Sequence, residues 1–428
     1  MRTKNSLTIG AALLAIGTAA CTDITALEQQ NPGQVSAATL YVPSNAQLLV
    51  NGAISDFECA YTRYVAGSGL LVDELSAAIG SVDNFNYDGR RLLTNASYGT
   101  GACGANQQPP IYTTLSTARG SADTVLARLR VWKDADMPAG VNRTRLIGQA
   151  SAYAGISLVL LGEGMCSAAV NLSPELTPAQ LFTEAKLRFD SAVVSATAAN
   201  DAATLNLALL SRARALLNLK QYAAAATDAA RIPANFVANT GTDAVNLRRQ
   251  NYVFLSINQN QWSTVDASLR NLTINGAADP RVALTNTGRP GTAQGSVIWT
   301  PDKYSTLTTV MPIARYAEAQ LIVAEARLEA GDLAGAAQAI NVVRATRTGV
   351  PAYDATGQTA EQVRATLIED RRRELFLEGR RLGDIRRYNL PLSPAAGTPF
   401  PGGGGVYGTQ SCFPLPDVER INNPNIAK

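Results

Sequence analysis

The sequence predicts a mainly α-helical protein, a scaffold of repeated helical hairpins interrupted by irregular, partly β segments. Three observations point there. From about Val141 onward, apolar residues recur at the three- and four-residue spacing of a helix face. Two alanine-rich segments, 206–230 and 317–341, align at a constant offset of 111 residues. Between them the helical period gives way to Asn, Thr, Gly and Pro punctuation.

At the N-terminus, residues 1–20 read as an export signal. Arg2 and Lys4 form a short basic region, and the uncharged stretch 7–20 holds Ile9, Leu13, Leu14 and Ile16. This stretch is short for a bilayer span and ends in Gly17-Thr18-Ala19-Ala20 directly before Cys21. The arrangement resembles a bacterial lipobox, in which the cysteine is lipid-modified and the signal is cut before it, so Cys21 becomes a membrane anchor. Several acyl chains, at about 0.8 kcal/mol per buried methylene, hold a protein where one chain would not. An ordinary signal with an incidental Cys21 is the alternative.

Composition narrows what the rest can do. The chain holds 37 basic and 34 acidic residues and no histidine. Losing Arg2 and Lys4 with the signal leaves 35 basic against 34 acidic, so nucleic-acid binding has no electrostatic support. Without histidine, Ser-His-Asp triads, Cys-His dyads and His-based zinc sites are excluded. No motif for a cofactor or metal is present, and catalysis would have to rest on carboxylates or lysine.

Beyond Cys21, four cysteines remain: Cys59, Cys103, Cys166 and Cys412. In an exported protein they are expected to form two disulfides. Three connectivities are open, and Cys59 with Cys103 and Cys166 with Cys412 is the preferred one, although the sequence does not decide it. Buried free thiols are the alternative.

Residues 80–110 read as irregular. A long helix begins near Arg145 and runs through Leu158-Val159-Leu160-Leu161. A second follows Thr177-Pro178, where threonine caps and proline fits the first turn, and continues through Leu181, Ala185 and Phe189. In the aligned pair, Ala213 falls on Ala324, Ala215 on Ala326, Leu217 on Leu328, Tyr222 on Leu333, Ala225 on Ala336 and Ala226 on Ala337. Small residues at fixed positions let two helices approach closely around a Lys220-Gln221 or Gly331-Asp332 turn. This is tetratricopeptide-like, and such hairpins need at least three copies to stack. Copies are expected at 142–199, 201–231, 314–347 and 360–379, giving hairpin blocks of about 142–231 and 314–379. The insert of about 233–309 contains β-rich runs such as Tyr252-Val253-Phe254-Leu255. Residues 388–412 return to irregular chain with Gly402-Gly403-Gly404-Gly405, a surface loop and not a phosphate cradle, because neither a helix pattern nor Lys-Ser/Thr follows.

Several motifs appear in order. Asn31-Pro32-Gly33 follows Cys21, and Asp279-Pro280-Arg281-Val282 lies in the insert. Then come Arg315-Tyr316-Ala317-Glu318 with Ala324-Glu325-Ala326, the charged run 369–387 through Glu378-Gly379-Arg380 to Asp384 and Arg387, and Cys412-Phe413-Pro414-Leu415-Pro416 with Glu419 and Asn423-Pro424-Asn425. Together they resemble the SusD/RagB family over most of the chain; the aromatic that commonly follows Glu-Gly-x-Arg is here Leu382-Gly383. The resemblance implies that 21–428 is one binding domain of a surface lipoprotein. Such a protein caps a TonB-dependent outer-membrane β-barrel transporter, captures oligosaccharides or other oligomeric nutrients, and needs no enzyme chemistry. It also implies that the helical hairpins meet the barrel while the irregular segments build the ligand face.

The run 369–387 holds seven arginines and five acids, interspersed, which reads as an ion-paired helix with Arg373, Arg380 and Arg381 in structural roles. Oligosaccharide binding requires flat aromatic faces flanked by amides and carboxylates. Candidates are Trp262, Trp299, Tyr252 and Tyr304 in the insert, beside Asn258-Gln259-Asn260-Gln261, with an N-terminal group of Tyr64, Asp73 and Glu74. Two other functions compete: a lipoprotein scaffold that uses the hairpins to hold proteins, and a glycoside hydrolase with a carboxylate pair.

Overall fold

The computed structural model describes residues 36–104, 108–292, 296–401 and 405–427. The signal, Cys21, Asn31-Pro32-Gly33 and Gly402 to Gly404 lie outside them. Ser36 caps a single helical turn, Ala37–Leu40, in a small N-terminal unit that ends at Val42. Everything described below belongs to the second unit, from Pro43 onward.

Helix α1 (Ala46–Leu71) is buried on every side from Phe57 to Leu71, the pattern of a helix at the centre of a core. Helices α2 (Val82–Asp88) and α3 (Tyr112–Val131) pack against it. Next, α4 (Arg143–Gly164) and α5 (Pro178–Ala198) form the first hairpin, α6 (Ala202–Asn218) and α7 (Tyr222–Ala229) the second, and α8 (Tyr316–Glu329) and α9 (Leu333–Arg344) the third. Helix α10 (Ala360–Glu374) follows, and α11 (Arg381–Tyr388) folds back onto α1 and α4.

The stacking is tetratricopeptide-like. The first helix of each hairpin touches the first helix of the next, α4 to α6, α6 to α8 and α8 to α10, while each second helix packs between them. The aligned alanines sit at these seams: Ala213, Ala324, Ala225 and Ala336 are all fully buried. Helix starts follow the sequence. Thr177 and Gln180 form a reciprocal cap on α5, Thr359 and Gln362 do the same on α10, and Asp332 accepts from Gly335 N–H at 2.8 Å on α9. Between α4 and α5 the approach is closest at Gly155 and Gly162. A Cβ there would lie 2.6 Å from the Phe189 ring and 2.5 Å from the Phe182 ring.

Two expectations are corrected. The charged run is two helices, broken at 375–380 where Leu377 and Gly379 take positive φ and Leu375, Phe376 and Leu377 turn into the core. Tyr252-Val253-Phe254-Leu255 is helical, one turn (Tyr252–Phe254) running into a wider turn (Leu255–Gln259). Asn251 accepts from Phe254 N–H at 3.1 Å and caps it, so the cap and burial outweigh the β preference of the side chains.

The irregular segments are stitched by short antiparallel pairs. β1 (Leu75–Ala77) pairs with β3 (Ser263–Val265), and β2 (Val237–Asn239) with β8 (Pro312–Arg315). β4 (Thr273–Ile274) pairs with β5 (Ala277–Ala278), and β6 (Leu284–Pro290) with β7 (Val297–Pro301). Disulfides join Cys59 to Cys103 and Cys166 to Cys412, the preferred pairing. The second spans 246 residues and sits where Cys166 N–H donates to Phe413 O at 2.8 Å.

Candidate ligand-binding face

The ionisable residues fall into a buried frame and a partly open face. In the frame, Arg380 donates to Glu318 at 2.8 and 2.9 Å, Arg315 spans Glu374 and Glu378, and Lys303 donates to Glu378. Arg371 and Arg387 share Asp384. Burial alone would raise the Glu378 and Asp384 carboxyls, but the adjacent cations outweigh it and hold both at about 2.

Five expected ligand residues belong to this frame. Tyr64 is fully buried, its ring within 3.2 Å of where a Cβ on Gly379 would stand. Tyr252 lies under the Arg63 guanidinium, 4.9 Å from its ring centre, and Tyr304 donates to Leu377 O at 2.9 Å. Asp73 takes both arms of Arg381 at 2.7 and 2.8 Å, and Glu74 accepts from Leu377 N–H at 2.9 Å. All three tyrosines are buried, so none presents an exposed ring face in this structure.

The two tryptophans differ. Trp262 is 9% exposed, its ring tilted against Tyr252. Trp299 is only half-buried and stands opposite Asn286 across the β6–β7 pair. Its neighbour Ile298 is fully buried, so strand alternation turns the indole to the other face. Trp299 N–H donates to Thr264 Oγ1 at 2.9 Å, and that hydroxyl donates to Val297 O at 3.0 Å, pinning β7 to β3. The Arg270 guanidinium lies 5.6 Å from the indole centre.

Around Trp299 the segments converge. Ala78 N–H donates to Trp262 O at 2.9 Å, and Arg289 reaches across from β6 to Asn258 O at 3.3 Å. Asn258 Oδ1 is buried with no partner among the described residues. A half-buried indole on a pinned strand, with the Arg270 guanidinium over its ring and the Asn286 amide across the pair, can stack on the apolar face of a sugar and donate to its hydroxyls. Arg270 and Asn286 were not singled out from the sequence; neither the register that sets Asn286 opposite Trp299 nor the turn that brings Arg270 over its ring carries a local signal. Among the described residues no group of Cys, Asp and Glu is arranged to hold a metal ion.

This fold and this face define a helical-repeat protein with an irregular, aromatic-bearing side. The SusD family model matches residues 222–417, from the second hairpin to the start of the C-terminal segment. The fold of the chain is similar to that of a SusD-like carbohydrate binding protein from Bacteroides vulgatus, at 17% identity and a TM-score of 0.64 over 89% of this chain and 96% of that one. It is also similar to a laminarin binding SusD-like protein (15%, TM-score 0.63, 90% and 98%) and to surface glycan-binding protein A from Bacteroides fluxus (14%, TM-score 0.64, 89% and 97%). No curated protein matches the sequence.

Proposed function

We propose that this chain is an outer-membrane surface lipoprotein that binds oligosaccharides and delivers them to a TonB-dependent, SusC-like β-barrel. Residues 1–20 would be removed, and acylated Cys21 would tether the domain 21–428 beside the barrel. The observation that carries binding is Trp299, half-open on a strand pinned to β3, with the Arg270 guanidinium over its ring and Asn286 opposite it. The SusD family-model match and the glycan-binding names of similar structures support the ligand class. Binding without catalysis follows from the same resemblance.

Calorimetric titration against a glycan panel tests it. Trp299→Ala should weaken the best ligand at least about tenfold, equivalent to ~1.4 kcal/mol, with Trp262→Ala less affected because its ring is mostly covered. Undiminished binding by both variants would move the site elsewhere. Palmitate labelling lost in Cys21→Ala, protease access on intact cells and co-purification of a large β-barrel test the anchor, the orientation and the partner.

A further inference from the structure

The charged run leaves one arginine unmatched. Arg371, Arg372, Arg373, Arg380, Arg381 and Arg387 each meet a carboxylate, whereas Arg386 meets none among the described residues. Its Nη1 donates instead to the carbonyls of Gly162, Glu163 and Met165, at 3.1, 2.8 and 2.8 Å, closing the C-terminal end of α4. Arg386 also borders a cavity of about 390 Å³ lined by Glu163, Phe182, Asn218, Lys220 and Arg387 among others. This volume is within the range of small-molecule sites.

The carboxylate in that lining is already engaged. Glu163 Oε1 accepts from Arg214 Nε at 2.7 Å and from Asn218 at 2.8 Å, and Oε2 accepts from Arg214 Nη2. Arg387 is held by Glu325 and Asp384. Arg386 and Lys220 therefore line the cavity with no ion-pair partner of their own among the described residues, Glu163 being taken by Arg214. Burial pushes the Arg386 guanidinium below its usual range, only partly offset by Tyr64 and Glu163.

Lys220 adds an independent sign. It occupies the α6–α7 turn at φ +59°, and the position aligned with it in the α8–α9 turn is Gly331 at φ +80°. The left-handed region favours glycine, so the backbone alone would select glycine at 220 as well. A lysine stands there against that preference and lines the cavity.

We propose that this cavity, between α4, α5, α6 and α11, binds an oxyanion, a carboxylate or phosphate group on a body no larger than a monosaccharide, with Arg386 and Lys220 as its cations. The site is separate from the Trp299 face and does not depend on that reading.

The test uses the folded domain with sodium phosphate, sodium glucuronate and glucose, at ionic strength matched with sodium chloride. Melting temperature should rise saturably with at least one anion and not with glucose; phosphate alone marks a bare-oxyanion site, and glucuronate an acidic-sugar site. Arg386 closes a helix end, so the informative variant is Lys220→Gly, which relieves the turn. Unliganded, it should melt no lower than wild type, yet bind the anion at least about tenfold more weakly. No saturable rise with either anion, or an equal rise in Lys220→Gly, overturns the proposal.

Discussion

Arg380 shows what single residues contribute. It is buried against Glu318, with further donations to Glu378 O and Ile313 O, so its charge is matched at every face. Arg380→Ala leaves Glu318 buried with only the more distant Arg214, 4.0 Å away and already held by Glu163, and urea unfolding should show a loss of about 3 kcal/mol. Adding Glu318→Leu should recover much of it, because removing both charges also removes the desolvation cost. The sequence placed acids near Arg373, Arg380 and Arg381 but could not name the partners. Those of Arg380 and Arg381 lie 62 and 308 residues away. The tyrosine candidates show the same limit: an aromatic in irregular chain looks available until the fold covers it.

Among elements, the hairpins were legible because their seams need small residues at fixed spacing and their starts need caps. Both are local chemistry. Helix α1 was not, since burial on all sides erases the amphipathic stripe that marks a helix, and Gly52, Gly67 and Gly69 dilute the pattern further. The turn at 252–255 was misread because its cap is the single residue Asn251. Close packing of α4 on α5 makes its own prediction. Gly155→Ala would gain helix propensity, yet its methyl would press on the Phe189 ring, so thermal or urea unfolding should show a net loss of about 1–3 kcal/mol.

Over the whole molecule, two sets of carboxylates oppose each other in pH. Burial raises Glu74 and Asp88 to about 7, so the native state favours their protonated forms. Their contribution is present below the unfolded value of about 4 and is lost as pH rises through 7. Asp279, Glu378 and Asp384 lie at about 2, where burial is outweighed by the paired arginines and lysine, and their contribution is lost as pH falls from about 4 toward 2. Melting temperature should therefore peak in mildly acidic buffer and decline toward pH 8. Glu74→Gln and Asp88→Asn should each flatten the alkaline limb; an unchanged limb in both would contradict the assignment.

The closure of the chain on itself has a consequence for how it is made. Helix α1 is finished by residues from the far end: Tyr61 donates to Pro312 O and Glu378 O, and Asp73 and Glu74 wait for Arg381 and Leu377. Phe413 packs between Tyr87 and Tyr98, and Cys412 meets Cys166 beside it. A nascent chain lacking its last sixty residues would hold the hairpins' helices but not the centre they surround. Completion of the core thus waits for the segment from Leu377 to Phe413, however early the hairpins form.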